Sequence, residues 1–146
     1  MKGDPIPGSD HVARFCDRKY ISESDGVEPG AFMLRKAETY LSVQWLEHLE
    51  KPTRKETIRA VREIFSKHLK VRHPAKLAVL NVETTRTLVA EESGYGIRLM
   101  HQPEPDNEAH SGIFDTDQNA DLIAELILET IQEIHPAIES NMRVTF

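Results

Sequence analysis

Two groups of residues in this sequence carry side chains that can do chemistry. Asp10, His11, Arg14 and Cys16 stand near the start, and His101, His110 and Ser111 stand towards the other end. A carboxylate beside an imidazole can fix its tautomer, which is what Asp10 offers His11. Arg14 can clamp a phosphate or carboxylate through two parallel hydrogen bonds. His101 and His110 flank a proline-containing loop, and such loops often hold catalytic groups. With His11, Arg14 and His110 as reacting groups, and Asp10, Cys16, His101 and Ser111 as binding groups, the set suits acid–base chemistry on a phosphate ester. It also suits a mononuclear metal site, whose ligands the sequence does not define. The ordinary reading is that exposed loop histidines do nothing, since seven histidines in 146 residues is only modestly above common usage. Cys16 lies between Arg14 and Arg18, which would favour its thiolate if both side chains were near. A small buried apolar role is the commoner fate of a lone cysteine.

Other signatures are missing. The sequence has no Gly-x-x-x-x-Gly-Lys phosphate loop, no Gly-x-Gly-x-x-Gly, no His-Glu-x-x-His and no Gly-x-Ser-x-Gly. The run from Asp115 to Asp121 spaces acids like the start of a calcium loop. Ala120 stands where that loop needs a turn glycine, and Leu126 where it needs a bidentate glutamate. An acid-rich helix start explains the run better. No cofactor is expected from these motifs.

The elements that must position these residues are legible to different degrees. Thr53-Arg54-Lys55-Glu56 has the form of a capping box, and Ile58, Val61, Ile64, Phe65 and Leu69 recur at helical spacing, which predicts an amphipathic helix over 54–69. A second helix is predicted over 115–135, stopped by Pro136, and a short one over 84–93 with Gly94 ending it. Strands are predicted at 11–16, 31–34, 77–82 and 97–100, and residues 39–49 read as a strand turning into a short helix. If strands 77–82 and 97–100 pair in parallel, the crossover through helix 84–93 is right-handed. Residues 102–109 read as an exposed loop. The whole is an α+β chain with a mixed sheet of about four or five strands and about three helices. It reads as a single domain over 1–146, with a loop or arm at 1–10 and a terminal arm at 137–146.

Composition narrows the classes further. Apolar residues make up 39% and charged residues 29%, which fits a globular chain rather than disorder. The net charge of −6 disfavours generic DNA binding. One cysteine allows no internal disulfide, and no apolar run is long enough to span a membrane, so a cytoplasmic setting without membrane contact is expected. RNA could still meet the basic side of helix 54–69, which carries Arg54, Lys55, Arg59, Arg62 and Lys67, although a solvated face is the commoner reason for such charges.

Three stretches form a pattern: Asp10-His11-x-x-Arg14, Glu38-x-Tyr40-Leu41-Ser42-Val43-x-Trp45-Leu46-Glu47 and His110-x-Gly112-Ile113. The pattern resembles a set of small bacterial proteins of unassigned activity and covers about residues 3 to 135. The resemblance implies a bacterial source and singles out His11, Arg14 and His110 together, but brings no mechanism. The leading expectation is a small binding or accessory protein that works with a larger protein partner and shows an apolar patch or bare sheet edge. The alternatives are a His/Arg hydrolase or phosphoesterase, metal-dependent or not, and an RNA-binding module.

Overall fold

A computed structural model describes residues 2–139 of the chain. Six strands form one sheet: β1 (His11–Cys16), β2 (Leu41–Trp45), β3 (Lys76–Asn81), β4 (Arg98–His101), β5 (His110–Phe114) and β6 (Ile131–Pro136). Three helices accompany them: α1 (Arg54–His68), α2 (Val82–Ser93) and α3 (Ala120–Glu129). The strand order is β4-β5-β2-β1-β3-β6, and every pairing in it is antiparallel.

The α+β class stands, but the sheet has six strands rather than four or five, and it is antiparallel rather than mixed. Strands β3 and β4 do not pair, because β1, β2 and β5 lie between them, so no β-α-β unit forms. The segment 31–34 is not a strand. Pro29 starts a 3-10 turn over Pro29–Phe32, and this turn buries Ala31 and Phe32 in the core. The stretch 39–49 is a strand followed by a 3-10 turn at Glu47–Leu49, as its mixed periodicity suggests.

The two strong helix predictions fare differently. In α1, Thr53 Oγ1 accepts from the Glu56 backbone N–H at 3.1 Å, the contact expected of a capping box. The predicted helix 115–135 divides into three pieces. Asp115 sits at φ 72, a 3-10 turn covers Thr116–Asn119, and α3 ends at Glu129. Thr130 closes α3 by donating its hydroxyl to Ile127 O at 2.7 Å. The following Ile131–Pro136 runs antiparallel to β3. Ile131 and Ile134 share helical spacing by coincidence, and the strand leaves Ile134 exposed.

Both faces of the sheet are covered. Side chains alternate along β1, so Val12 and Cys16 face one layer while Ala13 and Phe15 face the other. The first layer holds α2, α3 and the loop between β1 and β2, with Val89, Ile123, Ile127 and Phe32 packed on Leu41, Val43, Leu80 and Ile113. The second holds α1, whose Ile58, Val61 and Phe65 pack on Ala13, Leu77 and Val79. Residues 3–6 lie along β4: Gly3 N–H donates to His101 O at 2.6 Å and Ile6 N–H to Leu99 O at 3.0 Å. Most of the terminal arm proposed for 137–146 lies outside the described residues. Among the described residues no helix is long and apolar enough to cross a membrane.

Candidate functional site

Strand β1 pairs with β2 at only two positions, Val12–Trp45 and Ala13–Gln44. Arg14 follows at the point where that ladder ends. Its Nε donates to Ala31 O and its Nη1 to Ser42 O, both at 2.9 Å. The residue is 4% exposed and forms no ion pair among the described residues. Burial pulls its guanidinium below the ordinary arginine value, with Arg35 pushing the same way and Cys16 and Glu38 opposing. The Nη2 atom has no acceptor among the described residues and is not sealed inside the protein. Beside it opens a cavity of about 330 Å³ lined by Arg14, Lys19, Arg35 and Ser42, by the acids Asp17 and Glu38, and by Phe15, Phe65 and Leu69. Glu38 is engaged with Arg35 at 3.9 Å and by the Arg35 backbone N–H at 2.6 Å.

Ser42 links this cavity to His110. The Ser42 hydroxyl lies 3.3 Å from His110 Nε2, and His110 Nδ1 lies 2.8 Å from Gln102 O. A carbonyl can only accept, so Nδ1 carries the proton of the neutral ring and Nε2 is the acceptor for the serine hydroxyl. Glu104 Oε2 stands 3.8 Å from the same Nδ1. The Tyr40 ring meets His110 edge-on at 5.9 Å and lies against Gly112, where a Cβ would overlap it. Burial and then Glu104 push the Tyr40 hydroxyl above its usual pKa.

The candidate residues are therefore brought together only in part. Arg14 and His110 both reach Ser42, one at its carbonyl and one at its hydroxyl. His11 is elsewhere: strand alternation puts it on the face opposite Arg14, and Glu47 holds it. Asp10 does not orient His11 but accepts from Trp45 Nε1 at 2.8 Å. Trp45, His48 and His101 rings pack on one another at 5.0–5.1 Å, and His101 Nε2 lies 2.7 Å from Glu108 O. Ser111 is fully buried and donates to Ala109 O at 3.1 Å. Cys16 is also fully buried. Burial pushes its thiol up to about 12 against the opposing pull of Arg14, so the lowered thiolate value that two flanking arginines suggested does not arise. Arg18 lies past the end of β1, in a 3-10 turn.

Ser42 carried no signal of its own, because a serine inside an apolar strand reads as filler. Only its place in the Tyr40-Leu41-Ser42-Val43 stretch pointed to it. The three stretches of the sequence pattern pair across neighbouring strands: Asp10 with Trp45, His11 with Glu47, Arg14 with Ser42, and His110 with Ser42.

A larger cavity of about 570 Å³ lies by α1 and includes Lys55, Arg59, Arg62, His73 and Lys76. Its cations are partly neutralised within the fold, Arg59 and Arg62 by Glu139 and Lys76 by Asp25. Among the described residues no three His, Cys, Asp or Glu side chains form a group able to hold a metal ion. Among the described residues the large apolar side chains that stand exposed are Leu69, Tyr95 and Ile134, each on a different segment of the chain. No family model matches this chain, and neither a curated protein nor a solved structure matches it.

Proposed function

We propose that this protein is a binding protein whose Arg14 cavity captures an anionic group, a carboxylate or a phosphate, carried on an apolar body. The observation that carries this reading is the buried guanidinium of Arg14. It has no carboxylate partner among the described residues, and one donor edge is left for a ligand. A buried charge is stable only when it is paired or well hydrogen-bonded, and two carbonyls compensate it incompletely. Lys19 and Arg35 add positive charge at the same wall against the acids Asp17 and Glu38, so that with Arg14 the lining stays net positive, while Phe15, Phe65 and Leu69 supply an apolar wall. An anion seated there meets the fork geometry that favours arginine. A larger protein partner presenting such a group belongs to this proposal, as does a cytoplasmic setting. The single buried cysteine supports the latter, since it needs no oxidising compartment.

The test is thermal unfolding with benzoate, phenyl phosphate and inorganic phosphate at about 10 mM, since a ligand that binds only the folded state raises Tm. The aromatic anions should raise Tm more than inorganic phosphate does. Lys19→Ala and Arg35→Ala should each weaken the effect, and added salt should reduce it. If no anion shifts Tm, or if the shift survives both substitutions, the reading is wrong.

A further inference from the structure

The contact between Ser42 and His110 has the geometry of an activated nucleophile. We propose that Ser42 is a catalytic nucleophile with His110 as its general base, so that the Arg14 cavity is an acyl-transfer site for a carboxylic ester bearing an anionic group. The inference rests on the anion-binding reading, because Arg14 would hold the substrate's charge.

Several features of the fold support the assignment. The Nδ1–H donates to Gln102 O, so the free lone pair of the neutral ring points at the Ser42 hydroxyl. The separation of 3.3 Å is at the loose end of hydrogen bonding, as is common before substrate binds. Glu104 lies 3.8 Å from Nδ1, where its carboxylate stabilises the imidazolium that forms on proton transfer. Ser42 is one of the residues that line the cavity beside Arg14. The contact is not needed to join the strands, since Ser42 and Gly112 already face each other in the β2–β5 ladder.

The step balances within these groups. Ser42 Oγ attacks the ester carbonyl carbon, and its proton passes to His110 Nε2. The C–O bond to the leaving alcohol breaks, and the departing oxygen takes that proton. Water then attacks the acyl-serine, again losing its proton to His110, and releases the acid with Ser42 restored.

A fluorophosphonate probe tests this on the full chain. Its P–F bond breaks as a P–O bond to the serine forms, and intact-mass and peptide mass spectrometry locate the adduct. One adduct on Ser42 is expected. Ser42→Ala should abolish it, and His110→Gln should slow it by about 100-fold or more. A label on any other serine, no label at all, or a rate that His110→Gln leaves unchanged would overturn the proposal. The first two outcomes decide it even if the His110 variant does not fold. The Tm response to phenyl phosphate, read in the same samples, separates the two ideas. An anion response without labelling removes the nucleophile alone, and labelling without an anion response removes the binding reading and the anionic substrate class with it, leaving the Ser42 nucleophile.

Discussion

Glu47 holds His11 at two points. Its Oε1 accepts from the His11 backbone N–H and its Oε2 from the ring Nδ1, both at 2.7 Å. The carboxylate comes from the 3-10 turn after β2 and reaches the first residue of β1, so it fastens the end of the short β1–β2 ladder. Glu47→Ala should therefore lower stability by about 1–2 kcal/mol, the lower part of the range for charge-assisted bonds because the pair is partly exposed. His11→Ala should cost less, because the backbone N–H still donates to Glu47, and the double variant should cost about as much as Glu47→Ala alone. Urea unfolding followed through Trp45, the sole tryptophan, reads all three.

Gly112 is required by its neighbours rather than by its backbone. A Cβ there overlaps the Tyr40 ring and comes within 3.0 Å of the Phe114 ring. Gly112→Ala should cost about 1–3 kcal/mol through overpacking. Adding Tyr40→Ala to that variant should remove part of the strain, so the two substitutions together should cost less than their sum. Equality with the sum in a double-mutant cycle would show that Tyr40 does not oppose the added methyl.

Cys16 should resist modification in the folded protein. Its thiol is raised from 9.0 to about 12, chiefly by burial, so the folded state holds this proton more tightly than the unfolded chain does. The resulting stability is present in full below about pH 9 and is lost as pH rises towards about 12. Stability should thus fall with pH across that window, and Cys16→Ala should flatten the slope. Reaction with an aromatic disulfide reagent should be slow in buffer and fast in denaturant. Rapid reaction without denaturant would contradict the burial.

Thr53→Ala should remove the cap of α1 and lower stability by about 1 kcal/mol. Thr53→Ser should restore most of it, because a hydroxyl is all that the Glu56 N–H requires. Both values come from thermal or urea midpoints.

Local signals made some of this fold legible. The capping box at Thr53 and the periodicity to Phe65 mark α1, and Gly94 at φ 78 ends α2 where its position suggests. Local periodicity misled at Ile131 and Ile134, because an i, i+3 spacing does not distinguish the end of a helix from a half-exposed strand. Strand β5 was missed since His110-Ser111-Gly112 lacks β-branched residues, and its burial is set by β4 and β2 on either side. Strand partners and faces are long-range properties, which is why His11 and Arg14 looked like neighbours. They are three positions apart in one strand, and an odd separation sends them to opposite faces.

The central place of β1 has a consequence for synthesis. Its two neighbours are β2 and β3, so β1 keeps an edge bare until residues 76–81 have emerged. At about 5–20 residues per second, that is a delay of several seconds. During this time β1 can pair with β2 alone, and Val12, Ala13 and Cys16, all buried in the finished fold, lack the cover that β3 and the later elements bring.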